Sequence, residues 1–232
     1  MAASAGPIAS DRARRDLLAG VSGLVFTGLY LTILLVLTRP LAPEYPSADQ
    51  VHGYLSDNTA KIFASAVLWG VAGLFWISFL SGLRGVLRTG EGRTSRLSTA
   101  AFAGGILWLA MAWTAAPVEV GLATRLERGT DPSLYIALQD VAHWFVVYGF
   151  IGIAVLAGAT FLLVRRTRIL PAWLAWISMV TALTSLLFDL ASPVGFLMFA
   201  VWMLAASVGL MTSLRTPEAT DETRMAGEFA HQ

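Results

Sequence analysis

The stretch LQDVAHWFVVYGF, residues 138–150, places an acid and a histidine three positions apart at the start of a long apolar segment. Residues three apart share a helix face, so the side chains of Asp140 and His143 can interact. A carboxylate beside a histidine orients the imidazole ring and raises its basicity. Both effects are useful in a general base and in a metal ligand. The pair is equally typical of a membrane helix where lipid ends, and Trp144 fits such an interfacial belt. A working site and a polar rim are both open interpretations.

Two further acids, Glu119 and Asp189, fall near the level of His143 by residue count, so four side chains could meet between the ends of three helices. This group could perform acid–base catalysis, whereas a divalent cation would find only a weak, oxygen-dominated site. The chain has three histidines and no cysteine, which removes thiolate chemistry and leaves few strong metal ligands. We therefore expect no resident metal and no cofactor.

A second polar pattern lies in the fifth apolar segment, where Ser178, Thr181, Ser185 and Asp189 recur at a spacing that keeps one helical face. It indicates either the wall of a ligand groove, with Trp144 and Tyr148 as further candidate lining residues, or a surface for close helix packing. In the second case the hydroxyl groups bond back to carbonyls of their own helix. Both interpretations stay open.

Apolar helices have to position these side chains, because the composition is that of an integral membrane protein. Of the 232 residues, 56% are hydrophobic and 13% are charged, whereas a soluble domain has roughly 25% charged residues. The apolar residues form blocks of about twenty, the length that crosses roughly 30 Å of hydrocarbon. We predict an all-α integral membrane protein, a bundle of six transmembrane helices with short outer surface helices. The predicted spans are Leu17–Thr38, Ile62–Leu83, Leu97–Ala116, His143–Val164, Pro171–Phe188 and Pro193–Leu214.

The basic residues are distributed unevenly between the two sides of these spans. Twelve of the sixteen Lys and Arg residues lie in the terminal tails or in the turns after the second and fourth spans. The positive-inside rule therefore predicts a plasma-membrane protein with both termini in the cytoplasm. The chain divides into a cytoplasmic N-terminal tail (1–16), a transmembrane domain (17–214) and a cytoplasmic C-terminal tail (215–232).

Local signals predict helix starts on the outer side. Ser47 and Gln50 have the spacing of a capping box, so we expect a short surface helix over Ala48–Asp57. Asp131 and Pro132 are a typical cap and first-turn residue, which predicts that the fourth helix begins there and is about 50 Å long.

Glycine and alanine recur in the spans, which predicts close helix packing and a compact bundle rather than a wide pore. We expect Gly70→Leu and Gly152→Leu to destabilise this bundle. Ala110→Leu should be tolerated, because helical spacing turns Ala110 away from Gly104 and Gly105.

The scarcity of charge within the spans disfavours several classes of protein. Apart from His143 at its edge, no predicted span contains Asp, Glu, Lys, Arg or His. Ion-coupled transporters place ionisable groups inside the membrane, and a transmembrane b-type haem needs two axial ligands. The GEG sequence at residues 90–92 has no phosphate-loop context, and we expect no nucleic-acid partner.

Two segments carry a family resemblance: SDNTAKIFASAVLWGVAGLFWISFLSGLRGVLR at residues 56–88 and RTRILPAWLAWISMV at residues 166–180. In these the chain resembles small multi-pass membrane proteins of the actinobacterial type, in the family labelled domain of unknown function 4386. The likeness covers residues 17–214. It implies a bundle of six or seven helices and assigns no activity or site residue.

From these observations we expect a non-enzymatic membrane protein. Its partners would be membrane lipid, a small apolar or amphipathic ligand, or another membrane protein to which it is an accessory subunit. The alternative is a membrane enzyme with an outward-facing site built on Asp140 and His143. The two classes differ in geometry, because a catalytic site requires the acids and His143 to converge in one enclosed cavity.

Overall fold

The computed structural model describes residues 7–37, 47–92, 95–124, 131–187 and 192–212, and all regular structure among them is helical. The all-α prediction is therefore confirmed for this part of the chain. A short π-helical segment, Ile33–Leu37, continues the first helix. The α-helices are α1 (Pro7–Thr32), α2 (Ala48–Glu91), α3 (Arg96–Thr124), α4 (Pro132–Thr167), α5 (Ala172–Leu186) and α6 (Ser192–Thr212).

The six helices form a closed ring in which each helix packs against the next along the chain and α6 returns to α1. Neighbouring helices are antiparallel: Ala19 of α1 meets Gly82 of α2, whereas Tyr30 of α1 meets Trp69. The helices therefore alternate in direction. One end of the bundle carries Arg84 of α2 and Arg165 of α4, and we name it the arginine end; the other is the histidine end.

Five of the helices are long and apolar enough to cross a membrane, judged by length and composition. The exception is α5, whose 15 residues span about 22 Å at 1.5 Å per residue. The longest helix, α2, has 44 residues and is about 66 Å long. At the histidine end, α2, α3 and α4 continue together and pack against one another.

The core of the bundle is aromatic. Trp76 is fully buried, and its ring lies 4.9 Å from Phe26 and 5.0 Å from Trp108, measured between ring centroids. Its indole N–H donates to the carbonyl of Gly105 at 2.9 Å, which satisfies a polar group that burial would otherwise leave unpaired. Buried residues of all six helices belong to this cluster, which we name the core cluster.

Close packing of α3 against α4 depends on two glycines. A Cβ atom on Gly152 would lie 2.5 Å from the carbonyl oxygen of Gly104, and one on Gly104 would lie 2.5 Å from that of Gly152. The prediction for Gly70 is wrong, because a Cβ atom there meets nothing within 4 Å and the residue is exposed.

A second hydrophobic cluster lies at the histidine end, where the extensions of α2 and α4 pack against the last turns of α3. Its buried residues include Val51, Leu55, Leu122 and Tyr135, and we name it the cap cluster. The capping box of Ser47 with Gln50 is confirmed, since both of its hydrogen bonds form. The start of α4 at Pro132, capped by Asp131, is confirmed as well.

The prediction of a separate surface helix over Ala48–Asp57 is wrong, because these residues are the first turns of α2. Polar residues at the expected break continue the helix instead. The Asn58 amide donates to the carbonyl of Tyr54 and the Thr59 hydroxyl to that of Leu55, both at 2.8 Å. With neither glycine nor proline at this point, nothing in the sequence interrupts the helix.

Candidate functional site

A cavity of about 700 Å³ is lined by residues of both clusters and lies between them at the histidine end. Its walls come from α1 and its π-helical continuation, α2, α3, α4 and α6. Asp140 and His143 both line it, so the structure brings these two predicted site residues to one cavity.

The deep part of the cavity is aromatic. The rings of Tyr30 and Trp108 lie 6.1 Å and 6.0 Å from that of Trp69, between centroids. Phe150 and Phe196 complete this part in an edge-to-face pair at 5.3 Å. Large rings in such arrangements form a rigid apolar surface, suited to the hydrocarbon part of a ligand.

Most polar side chains of the cavity lie in its part nearer the histidine end, beside the aliphatic Ile62 and Ile136. Gln139, Asp140 and His143 project from one face of α4, and Tyr54 of α2 makes an edge-to-face contact with Tyr135 at 6.2 Å. Along α4 the lining runs from Tyr135 to Phe150, which is about 22 Å of helix. The cavity therefore changes from polar to apolar along its length, and Asp140 is the only acidic residue among the described residues that line it.

Small side chains provide the space between these two parts. Ala112, Ala115 and Ala116 of α3 face the cavity, as do Ala66 of α2 and Gly149 of α4. A larger residue at any of these alanine positions would occupy volume that a ligand could fill.

The π-helical segment lies directly on the cavity, with Ile33, Leu34 and Leu37 all in its wall. π-Helical turns are rare in proteins and occur often at functional sites, because the extra residue per turn redirects the side chains that follow it. Here this turn places three aliphatic side chains against the ligand space.

Trp144 and Tyr148 lie outside the cavity. Their side chains are 49% and 56% exposed and their rings are 6.1 Å apart. Trp144 also contacts the ring of His143, at 5.9 Å. These two residues cover the outer face of α4, as an interfacial belt would.

The hydroxyl stripe of α5 is buried against α6 and does not line the cavity. Ser178 accepts a hydrogen bond from the Trp202 indole at 2.9 Å, and Thr181 donates to the carbonyl of Met198 at 3.5 Å. Ser185 is 2% exposed, and its hydroxyl has no partner among the described residues. These contacts hold α5 on the bundle by close packing, but the bonds of Ser178 and Thr181 join α5 to α6 and do not run back to carbonyls of α5.

The structure does not describe the side chains of the other two predicted acids. The backbone of Glu119 belongs to α3, but its side chain lies outside the described residues, and so does all of Asp189. Within the described ranges no group of three or more His, Cys, Asp or Glu residues could hold a metal ion.

The aromatic lining residues are not among the predicted site residues, although the sequence contains a signal for them. Trp69 and Trp108 lie in the interior of predicted spans, far from the interfaces where tryptophan is usually enriched. A tryptophan at such a depth has to pack within the bundle or against a bound molecule.

Comparison with protein-family models, with curated proteins and with solved structures finds no match to this chain. The resemblance to the family labelled domain of unknown function 4386 therefore stays a prediction. Fold and cavity together define a class: a helical bundle with five helices able to cross a membrane and an amphipathic cavity near one end.

Proposed function

We propose that this chain is a plasma-membrane protein of six transmembrane helices with both termini in the cytoplasm. Large apolar side chains on the outside of the bundle support this, among them Leu35, Val67, Leu74 and Leu183, which a soluble protein would bury. The asymmetry of the basic residues favours the arginine end as the cytoplasmic one. The short helix α5 would then cross with the help of flanking residues.

Within this topology we propose that the protein binds one amphipathic small molecule in the cavity at the histidine end. The observation that carries the proposal is the gradient along the cavity, from Gln139, Asp140 and His143 to Trp69 and Trp108. Its volume of about 700 Å³ is within the range of roughly 300–1,000 Å³ usual for small-molecule sites. The aromatic part would lie at hydrocarbon depth and the polar part near the outer headgroups.

The polar side chains of the cavity favour a particular chemistry in the headgroup of the bound amphiphile. The Asp140 carboxylate accepts hydrogen bonds and opposes an anion, while Gln139 and the tyrosines Tyr54 and Tyr135 can donate or accept. The ligand class that fits is an amphiphile whose head donates hydrogen bonds and carries no negative charge. A monoacylglycerol is the simplest example.

Filling the cavity tests this proposal directly. Ala112→Leu adds volume inside the cavity, whereas Ala110→Leu makes the same change on the exposed face of α3. Native mass spectrometry of the purified proteins with added monoacylglycerol should show one molecule retained per chain. We expect Ala112→Leu to bind about tenfold more weakly, a loss of about 1.4 kcal/mol, and Ala110→Leu to bind like the parent. Equal retention by both variants would count against the site.

A membrane enzyme is the second candidate, favoured by the shared cavity of Asp140 and His143. His143 would accept a proton from a water molecule that attacks the ester carbonyl, and Asp140 would orient its ring. The bond between the acyl carbon and the glycerol oxygen would break, and the proton would pass to that oxygen. Incubation with the monoacylglycerol separates the two functions. An enzyme releases glycerol and a fatty acid, and both Asp140→Asn and His143→Gln stop this release; a binding protein returns the compound intact.

A further inference from the structure

A second cavity, of about 750 Å³, lies at the arginine end, where α4 ends, α5 begins and α6 ends. Its apolar floor includes the buried residues Val164, Leu170 and Ala175. Arg165 and Arg168 line it on the α4 side, and among the described lining residues none is acidic. It is separate from the amphiphile cavity and shares no lining residue with it. We name it the arginine groove.

Both arginines are held at the groove by the fold. The Arg165 guanidinium lies 5.4 Å from the centroid of the Trp176 ring and 5.8 Å from that of Phe161. In a cation–π contact the aromatic ring attracts the positive charge of the guanidinium group. The N–H groups of the guanidinium can still donate hydrogen bonds to an anion. Trp176 itself lines the groove, so this contact fixes the charge at its wall.

Arg168 ends α4 in the left-handed conformation, with φ of 51°, and its N–H donates to the carbonyl of Val164 at 3.0 Å. Glycine is the residue that this capping position favours, because a Cβ atom is unfavourable there. The sequence instead has an arginine, whose side chain lines the groove. Arg168 therefore adopts the left-handed conformation that glycine would adopt there, and its side chain adds a second positive charge to the groove.

The start of α5 adds hydrogen-bond donors to the same groove. Its first turn has no side-chain cap, and Ala172 of that turn lines the groove. The Leu174 N–H already donates to the carbonyl of Pro171, so the donors of this turn are those of Ala172 and Trp173. The start of α3 differs, because the Glu91 carboxylate accepts from the N–H groups of Leu97 and Ser98. An anion in the groove would accept hydrogen bonds from the N–H groups at the start of α5, as the Glu91 carboxylate does at the start of α3.

We propose that the arginine groove binds the phosphate of an anionic lipid headgroup. The phosphate would contact Arg165, Arg168 and the first turn of α5, and the apolar floor would take the start of an acyl chain. The proposal rests on the membrane topology proposed above, which places this groove at the cytoplasmic leaflet, where anionic lipids attract basic side chains. It is independent of the ligand in the other cavity.

The test compares lipids and arginine variants of the full chain in neutral detergent. The probes are phosphatidylglycerol, phosphatidylcholine and inorganic phosphate, and the readouts are lipid retention in native mass spectrometry and melting temperature. Arg165→Gln and Arg168→Gln remove a charge from the groove. Arg166→Gln removes the same charge from the same helix end, at an exposed residue that does not line the groove.

We expect phosphatidylglycerol to bind the parent and Arg166→Gln equally, and each groove variant about tenfold more weakly, as for the loss of a charged hydrogen bond. Three results would overturn the proposal: equal weakening in Arg166→Gln, equal binding of phosphatidylcholine, or inorganic phosphate reproducing the whole effect of the lipid. Retention of monoacylglycerol by the groove variants shows separately whether the amphiphile cavity is intact.

Discussion

At the residue scale, Gly152 and Gly70 should respond differently to the same substitution. Gly152→Ala places a methyl group against the backbone of α3, so we expect a loss of about 1–3 kcal/mol in the free energy of unfolding. Gly70→Ala points into open space and replaces a poor helix former, so it should be neutral or stabilise by up to about 1 kcal/mol. Unfolding in detergent with increasing SDS measures both. A Gly152→Ala variant as stable as the parent would mean that α3 and α4 are not in close contact at Gly104.

The lowered pKa of Glu91 predicts how the stability of the fold depends on pH. Partial desolvation acts to raise the pKa of Glu91, but hydrogen bonds from the backbone of Ser98 and Leu97 outweigh it, and the pKa is lowered from 4.5. A lowered pKa means stabilisation that is present above pH 4.5 and is lost as the pH falls through the lowered value. Glu91→Gln should cost about 0.3–1 kcal/mol at pH 7, since a negative charge at the start of α3 is favourable. The difference in stability should disappear as the pH falls below the lowered pKa of Glu91, and a difference independent of pH would contradict this role.

The orientation of single residues was the hardest property to predict from the sequence. A helix that is apolar on all sides has no hydrophobic face to indicate which residues point inward. For this reason Gly70 and Gly152 looked equivalent, although only Gly152 faces a neighbouring helix. The Ser178, Thr181 and Ser185 stripe was recognised as one face, but whether it faced a groove or α6 depended on packing that the pattern does not contain.

At the element scale, the continuity of α2 predicts different effects for two proline substitutions. Ala60→Pro lies on an exposed face in the helix interior, so it removes a backbone hydrogen bond and introduces a steric clash worth about 3 kcal/mol. Ala48→Pro lies at the first helical position, where proline is tolerated. In hydrogen–deuterium exchange, Ala60→Pro should remove protection from Val51 and Leu55, and Ala48→Pro should leave it unchanged. Similar profiles for the two variants would argue for a break in α2.

Helix starts were predictable where a local signal determines them. Asp131 with Pro132, and Ser47 with Gln50, satisfy donors within a few residues, so the sequence contains the whole interaction. The continuation of α2 through Asn58 and Thr59 was missed, because it depends on the absence of a stop signal. The cavity was also missed, because its lining comes from five helices whose relative rotation no single segment encodes.

At the scale of the whole molecule, positions along α2 can report how the bundle is oriented in the membrane. Its 44 residues give about 66 Å of helix, roughly twice the hydrocarbon thickness, so both of its ends should reach water. The chain has no cysteine, so single cysteines can be introduced without background. Ser56, Leu74 and Thr89 are exposed positions along α2, near the histidine end, in the middle and near the arginine end.

In intact cells, a membrane-impermeant maleimide should label Ser56→Cys and leave Thr89→Cys unlabelled, because the positive-inside rule places the arginine end in the cytoplasm. Permeabilising the membrane should expose Thr89→Cys to the reagent. Leu74→Cys should stay unlabelled in both states, since its 66% exposed side chain would face lipid, where a thiol does not ionise. Labelling of Thr89→Cys in intact cells would reverse the orientation, and with it the assignment of the arginine groove to the cytoplasmic leaflet. Labelling of Leu74→Cys would place this face of the bundle in water, and the apolar surface around it would then require a protein partner rather than lipid.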